Sequence, residues 1–213
     1  GTDKSFQHYL HWWTSNVKKY FPGVNITICD FGMDEKYAKW SKENSNEYIK
    51  YENKYDISWF YKPQTLLDSI YKYKCWIDID CEVVGDISNI FNFIEEDKLA
   101  CGIDRYHSWG CKWQTGVVGV KGDPEVLQNW EKKCIKPEGQ YARGDQELLY
   151  DLVKDDPSVM TDFIPEKYNW LRMSFFKHTK WQRMIGNDTR IIHWTGEVGK
   201  KILTKSIREK KNT

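Results

Sequence analysis

Asp78 and Asp80 are the pair of residues best suited to do chemistry in this sequence. They flank Ile79 at the point where the apolar run CWI ends. Side chains two residues apart on an extended chain point to the same face, and two carboxylates held together repel unless a cation lies between them. Because such oxygen ligands favour Mg²⁺ or Mn²⁺, which can bridge nucleotide phosphates, the pair predicts a divalent-metal site. The alternative is that both carboxylates cap a helix predicted to begin near Asp86.

Other polar residues at the ends of predicted elements could complete such a site. His193 follows two isoleucines and could ligate the same metal, or it could be a hydrogen-bonded histidine of the core. Asp145 begins a predicted helix, so it could cap that helix or act on a substrate hydroxyl as a general base. Asp30 ends a predicted strand, where it could contact a ligand or cap a turn. Three cations could hold an anionic substrate or lie on a solvated face: Lys62, Arg105 and Arg143.

Alternating helix and strand patterns must position these residues. Apolar spacing and start signals predict helices over 6–17, 63–71 and 86–94, and from 122 and 144 onward. Apolar and β-branched runs predict strands over 24–30, 75–79, 99–103, 113–120, 159–164 and 190–194. The polar segment 34–54 predicts a short helix followed by a mobile loop. This order predicts one three-layer α/β domain over 1–213, with a mainly parallel mixed central sheet flanked by helices. The basic segment 200–213 predicts a solvated helix or a tether to a further domain.

Length, charge and cysteine content limit the classes of function. The 213 residues carry a formal net charge of +1, so no bulk positive field draws the chain to nucleic acid or an anionic membrane. No apolar stretch approaches about 18 residues, the length needed for a transmembrane helix. The six cysteines form neither a C-x-x-C pair nor a dense disulfide framework, which favours a reducing compartment such as the cytoplasm.

The segment WIDIDCEVVGDISNIF (76–91) resembles the D-x-D region of the GT-A glycosyltransferases, in which an apolar strand delivers two aspartates to the metal and nucleotide of a nucleotide-sugar. Other segments resemble family motifs in the same order: SWFYKPQTLLDSIYKYKCW (58–76), WQTGVVGVKGDPEVLQNW (113–130), GDQELL (144–149), YNW (168–170) and IIHWTGEVGKK (191–201). The last is similar to the H-x-x-G-x-x-K ending of glycogenin-like and galactosyltransferase-like families. Gly199 stands where that ending has its Lys, and Lys200 follows. Gln114 stands where the family has the Asn of Asn-x-Gly.

The resemblance implies roles for individual residues. Asp78, Asp80 and His193 would ligate the metal. Contacts to the nucleotide or diphosphate are implied for Thr2, Asp30, Lys62, Asp78, Ile79, Gly196 and Lys200. Contacts to the sugar or acceptor are implied for Gln114, Thr115, Asp145, Gln146 and Trp194, with Asp145 as the candidate catalytic residue. Four rings beside the predicted loops could stack on a sugar or simply pack in the core: Trp109, Trp113, Trp170 and Trp194.

The resemblance also implies an activity. It is that of a metal-dependent glycosyltransferase that moves a hexose or deoxyhexose from a UDP-sugar to a hydroxyl of a glycan or glycoprotein, with Mn²⁺ or Mg²⁺ as cofactor. The chain is expected to act as a monomer or as one domain of a larger protein. Within the superfamily it is similar to viral domains that glycosylate capsid proteins, which implies the host cytoplasm.

Two other classes of function remain open from the residues. Haloacid-dehalogenase-like phosphatases also place D-x-D at the end of an apolar strand, and there Asp78 would be the nucleophile. Their pattern has Thr or Val two residues after the second aspartate, where this chain has Glu82. A carbohydrate-binding module would need the aromatic residues but not the acid pair.

Overall fold

The computed structural model describes residues 1–52, 55, 57–104, 110–136, 144–172 and 188–210. The helices are α1 (Leu10–Tyr20), α2 (Glu35–Asn44), α3 (Lys62–Asp68), α4 (Glu125–Ile135), α5 (Asp145–Val153) and α6 (Gly196–Lys210). The strands are β1 (Thr27–Asp30), β2 (Glu47–Lys50), β3 (Tyr73–Ile77), β4 (Cys81–Val83), β5 (Leu99–Ile103), β6 (Trp113–Lys121), β7 (Trp170–Leu171) and β8 (Ile191–His193).

These strands form three small sheets, where the sequence predicted one mainly parallel sheet. β1 pairs with β2 in parallel, and β6 lies between β3 and β5 with both pairings antiparallel. β8 pairs with β4 antiparallel and with β7 in parallel. The expectation of parallel strands was wrong here because parallel neighbours need a long crossover. Between β3 and β5 the chain instead makes the short strand β4 and a 3₁₀ segment, Ser88–Phe93.

Several local predictions differ from the structure at element ends. The segment predicted as a helix over 86–94 is that 3₁₀ segment, and Asp86 Oδ1 accepts from the Ser88 N–H at its start. The segment 34–54 contains β2 as well as α2, because β1 offers it a parallel pairing edge. α3 ends at Asp68, which leaves Ile70 78% exposed. The segment 159–164 makes only isolated bridges, at Met160 and Ile164.

Most of the aromatic and aliphatic side chains pack in the core. One cluster lies between β6 and the helices α4 and α5, with Trp130 and Leu127 fully buried. A second lies between α1 and the strands β3 and β4. A third joins α6 to β8 and to Tyr9. None of the described helices combines the length and apolar character that a bilayer crossing requires.

A groove of about 830 Å³ separates β1 from β3. Cys29 of β1 and Trp76 of β3 line it from either side, and α1 contributes Trp13. Thr2 makes an isolated parallel bridge to Asp30 at the end of β1. Among the described residues β1 and β3 share no backbone pairing.

The described part of the basic segment, 200–210, is a packed helix and not merely a solvated one. Leu203 is 1% exposed in α6, whereas its neighbour Ile202 is 44% exposed. We expect Leu203→Ala to lower the free energy of unfolding by about 2–4 kcal/mol, because it removes buried methyl groups and leaves a cavity. The matched change Ile202→Ala should cost about 0.5 kcal/mol or less. Urea unfolding of both variants measures the difference, and equal small losses would mean that α6 does not pack as described.

Candidate functional site

The two aspartates lie in the turn that joins β3 to β4. The turn is tied to its surroundings by backbone hydrogen bonds: the Asp78 N–H donates to the Gly116 carbonyl at 2.8 Å, and the Trp194 N–H donates to the Asp80 carbonyl at 3.0 Å. β6 and the residue after β8 therefore hold it from two sides. The first aspartate stays partly exposed, with 26% of its side chain accessible, whereas the second is buried.

His193 faces both carboxylates from β8. Its Nε2 lies 3.4 Å from Asp80 Oδ1 and 3.8 Å from Asp78 Oδ2, and the residue is 2% exposed. The contact follows from strand register, since His193 is the antiparallel partner of Cys81, the residue after the D-x-D turn. Burial alone would raise the pKa of Asp80, but His193 and Lys200 outweigh burial and lower it to about 2. Asp80 is therefore a carboxylate at neutral pH.

Lys62 is a buried cation between two carboxylates. Its Nζ lies 3.2 Å from Asp78 Oδ1, 3.0 Å from Asp145 Oδ2 and 2.8 Å from the Thr115 carbonyl oxygen. Burial would lower the pKa of Lys62, but the two carboxylates outweigh burial and raise it, so the ammonium stays charged. Of its three donors, one makes an aligned hydrogen bond to the Thr115 carbonyl, and the two carboxylates attract the ammonium as charges. Lys62 therefore holds the two carboxylates together, and its implied direct contact with a donor substrate stays a prediction.

Asp145 is the first residue of α5, with Gly144 as the capping residue. Because Gly144 holds the capping position, Asp145 is not the N-cap residue of this helix. Burial raises the pKa of Asp145, and Lys62 only partly opposes that shift. Its Oδ2 is within ion-pair distance of Lys62 yet has no aligned hydrogen bond among the described residues. This carboxylate oxygen is the kind of atom that a polar substrate group could complete.

Two tryptophans position Asp78, and the sequence analysis missed both. Trp13 Nε1 donates to the Asp78 carbonyl at 3.1 Å, and Trp76 Nε1 donates to Asp78 Oδ1 at 2.5 Å. The Lys62 ammonium also lies 5.7 Å from the centre of the Trp76 ring. Trp76 stands two residues before the aspartate, so the alternation of a strand was a signal that both side chains share a face.

Lys200 reaches the site from α6. Its Nζ lies 3.6 Å from Asp80 Oδ2, and 32% of its side chain is exposed. A Cβ on Gly199 would collide with the Trp194 carbonyl, so the chain needs glycine at this position. Gly196, whose φ of +74° favours glycine, begins the helix. The steric limit at Gly199 explains why glycine stands where the resemblance led us to expect a lysine.

The glutamines that resemble sugar-binding residues lie in hydrogen-bond networks. Gln114 Oε1 accepts from the Gly116 N–H at 2.6 Å and from Asn169 Nδ2 at 2.8 Å. Gln146 Nε2 donates to Asp104 Oδ2 at 3.3 Å, and its Oε1 accepts from the Thr115 N–H. Asp104, which is 3% exposed, was missed by the sequence analysis. Its place directly after β5 was the available signal.

Two candidates, Asp30 and Thr2, lie apart from Asp78, Asp80 and His193. Both Asp30 oxygens serve the local structure: Oδ1 accepts from the N–H groups of Gly32 and Met33, and Oδ2 accepts from the Tyr48 hydroxyl. This is the turn-cap alternative. Thr2 is buried beside it, and its backbone bridges to β1.

The structure also corrects most of the proposed sugar platforms. Trp194 is 5% exposed and donates from Nε1 to Glu82 Oε2, so its face is not available for stacking. Two further rings, Trp113 and Trp170, are 6% and 7% exposed. They pack in the core because the strands that carry them are covered by helices. Three candidates lie outside the described residues: Arg105, Trp109 and Arg143.

The side chains present fit a divalent cation. Ligand atoms of Asp80, Cys81 and His193 lie within 4.8 Å of one another. Burial, reinforced by the two aspartates, raises the pKa of Cys81 well above its ordinary value, so it stays a thiol. Asp78 Oδ2 lies on the same side of the imidazole and is the better fourth neighbour for a hard cation. Among the described residues, two lysines, Lys62 and Lys200, face three carboxylates, those of Asp78, Asp80 and Asp145.

Comparisons with known proteins identify solved structures that share the fold of this chain. No protein-family model matches the chain, and no curated protein matches it in sequence. The glycosyltransferase GlyE of Streptococcus pneumoniae TIGR4 matches with a TM-score of 0.71 at 15% identity, over 92% of this chain and 53% of GlyE. The galactosyltransferase LgtC, solved with donor and acceptor sugar analogues, matches with a TM-score of 0.61 at 14% identity, over 92% of this chain and 85% of LgtC. The bifunctional glycosyltransferase WbbM matches with a TM-score of 0.64 at 12% identity, over 92% of this chain and 45% of WbbM.

The chain thus spans about half the length of GlyE and of WbbM, and most of LgtC. At these identities the likeness extends to the fold alone. The chain therefore has the fold of the GT-A glycosyltransferases.

Proposed function

We propose that the chain is a metal-dependent glycosyltransferase that transfers a hexose or deoxyhexose from a UDP-sugar to a glycan or glycoprotein hydroxyl. One observation carries the proposal: His193 Nε2 faces both carboxylates of the D-x-D turn, inside a fold shared with glycosyltransferases. Asp78, Asp80 and His193 would hold Mn²⁺ or Mg²⁺. UDP is chosen because the families with these motifs mostly use it.

The protein groups around that centre suit the departure of a diphosphate. Breaking the bond to the sugar develops negative charge on the leaving phosphate and an oxocarbenium-like sugar. A bound divalent cation supplies Lewis-acid stabilisation of that charge. Lys200 lies beside Asp80, is partly exposed, and would add a second positive charge. Gly196 starts α6 close by, so its first backbone N–H groups are further donors for an anion.

Asp145 is assigned to the sugar in this proposal. Lys62 keeps its carboxylate beside Asp78, and its Oδ2 lacks an aligned hydrogen bond among the described residues. A sugar hydroxyl would satisfy that oxygen. For stacking on the sugar, Trp59 fits better than the rings that the sequence analysis selected. It is 47% exposed and packs so closely on Gly144, the residue before Asp145, that a Cβ there would strike its ring.

The activity is tested by the release of UDP from a panel of UDP-sugars without an acceptor. We expect slow release that requires Mn²⁺ or Mg²⁺ and stops when EDTA is added. p-Nitrophenyl phosphate serves as the comparison substrate, and we expect it to stay intact. Its hydrolysis without turnover of any UDP-sugar would favour a phosphatase, and binding of sugars with no turnover would favour a carbohydrate-binding module.

A further inference from the structure

We propose that Gln114 and Asn169 are positioning residues that fix which nitrogen of His193 carries the proton. Their amides form a short relay from the backbone of β6 to the imidazole. The relay places the proton on Nδ1 and leaves the Nε2 lone pair directed at Asp78 and Asp80. The effect of this relay on metal binding rests on the proposed function. The position of the proton on His193 does not depend on that proposal.

The first step is the orientation of the glutamine amide. The backbone N–H of Gly116 can only donate, and it lies 2.6 Å from one end of the Gln114 amide. That end must therefore be the oxygen, Oε1. The same atom lies 2.8 Å from the Asn169 amide, so the asparagine atom that faces it must be the donor Nδ2. Both amides are thereby oriented by a backbone group that cannot be reversed.

The second step carries the orientation to the histidine. With Nδ2 turned to Gln114, the other end of the Asn169 amide is the carbonyl oxygen Oδ1, which lies 3.1 Å from His193 Nδ1. A carbonyl oxygen can only accept, so Nδ1 must carry the hydrogen. A neutral imidazole has one N–H, and Nε2 is then the acceptor. All three side chains are at most 9% exposed, so water does not compete for these bonds.

Two glycines make room for the relay. A Cβ on Gly116 would strike the His193 ring and would approach Gln114 Oε1 to 2.8 Å. A Cβ on Gly102 of β5 would lie 2.6 Å from Asn169 Nδ2. Real Cβ atoms do not approach this closely, so both strands need glycine where the relay crosses them. Gly116 of the Gln-Thr-Gly segment is therefore glycine because the His193 ring lies against it.

The proton position matters for ligation. With a proton on Nε2, the imidazole would donate to Asp80 and offer no lone pair to a cation. Metal-ligating histidines usually donate their other N–H to a protein oxygen, and removing that partner costs about 10–100-fold in metal affinity. Asn169 provides such an oxygen. The two variants are Asn169→Asp, which keeps an acceptor for His193 Nδ1 and loses the donor to Gln114, and Asn169→Leu, which loses both at similar volume.

The test is long-range ¹H–¹⁵N NMR of the metal-free protein, recorded at a pH where the ring ¹⁵N shifts report a neutral imidazole. We expect His193 to show protonated Nδ1 and bare Nε2 in the wild type and in Asn169→Asp. Asn169→Leu should lose this preference, and its Mn²⁺ affinity, measured by titration calorimetry, should fall about 10–100-fold. Asn169→Asp should bind Mn²⁺ at least as tightly as the wild type.

The wild-type spectrum keeps the test decisive even if Asn169→Leu does not fold. A wild-type His193 with its proton on Nε2 would overturn the relay, and so would an Asn169→Leu protein that keeps both the proton position and the Mn²⁺ affinity. If the wild type shows the expected proton position but binds no Mn²⁺, the relay stands and the proposed function fails.

Discussion

Replacing Asp80 by Asn is expected to abolish metal-dependent UDP binding. The change removes a carboxylate that is 5% exposed and that faces His193 on one oxygen and Lys200 on the other. An amide oxygen carries no charge, so the affinity for Mn²⁺ should fall. The loss should be at least the roughly 10–100-fold that follows removal of a hydrogen-bond partner of a metal-ligating residue. The rate of UDP release should fall by about 1,000-fold. Calorimetry and the UDP-release assay measure the two effects.

Asp86→Asn is the matched control for this change. Asp86 lies six residues further along, is exposed, and caps a 3₁₀ segment through Oδ1, an oxygen that asparagine retains. Its Mn²⁺ affinity and turnover should match the wild type. Wild-type turnover in Asp80→Asn would contradict the assignment of the acid pair to the metal.

The second large effect is expected from Lys62→Met. The substitution leaves Asp78 and Asp145 facing each other without their shared cation, and removing one partner of a buried ion pair costs about 3–5 kcal/mol. Urea unfolding measures this loss. Part of it should return in the double variant Lys62→Met with Asp145→Asn, because the second change removes one of the stranded charges.

An exposed ion pair provides the control. Lys98 pairs with Glu95 at 2.9 Å, and both side chains are substantially exposed. Lys98→Met should therefore change the free energy of unfolding by less than about 1 kcal/mol. If Lys62→Met proves as mild as Lys98→Met, Lys62 does not neutralise the two carboxylates in the way described.

Local signals in the sequence were sufficient for several elements. β5 coincides with the predicted strand 99–103, and β6 differs by one residue at its end. β5 is a continuous apolar run between Lys98 and Asp104, and β6 is rich in β-branched residues, so neighbouring residues alone define both strands. Pairing was not predictable in this way. The antiparallel placement of β6 between β3 and β5 depends on contacts between segments distant in the chain.

The site shows the same division between local and distant information. The D-x-D turn and His193 could be selected as candidates from motif resemblance, and the structure brings them together. The partners of those residues could not be selected, because Trp13 and Asn169 lie 65 and 24 residues away along the chain. The abundant aromatic residues misled for a related reason. Composition counts buried and exposed tryptophans alike. Only the fold shows that Trp59 is exposed and that Trp194 is buried.

The central claim is that a divalent cation at Asp78, Asp80 and His193 binds the diphosphate of UDP, and thermal unfolding tests it most directly. At UDP concentrations near 100 times the dissociation constant, binding adds about 2.7 kcal/mol, which corresponds to a rise in Tm of roughly 5–10 °C for a chain of this size. The account predicts that rise with UDP and Mn²⁺ together, and none with UDP in EDTA or in the Asp80→Asn variant. An equal rise with UDP in EDTA would contradict it.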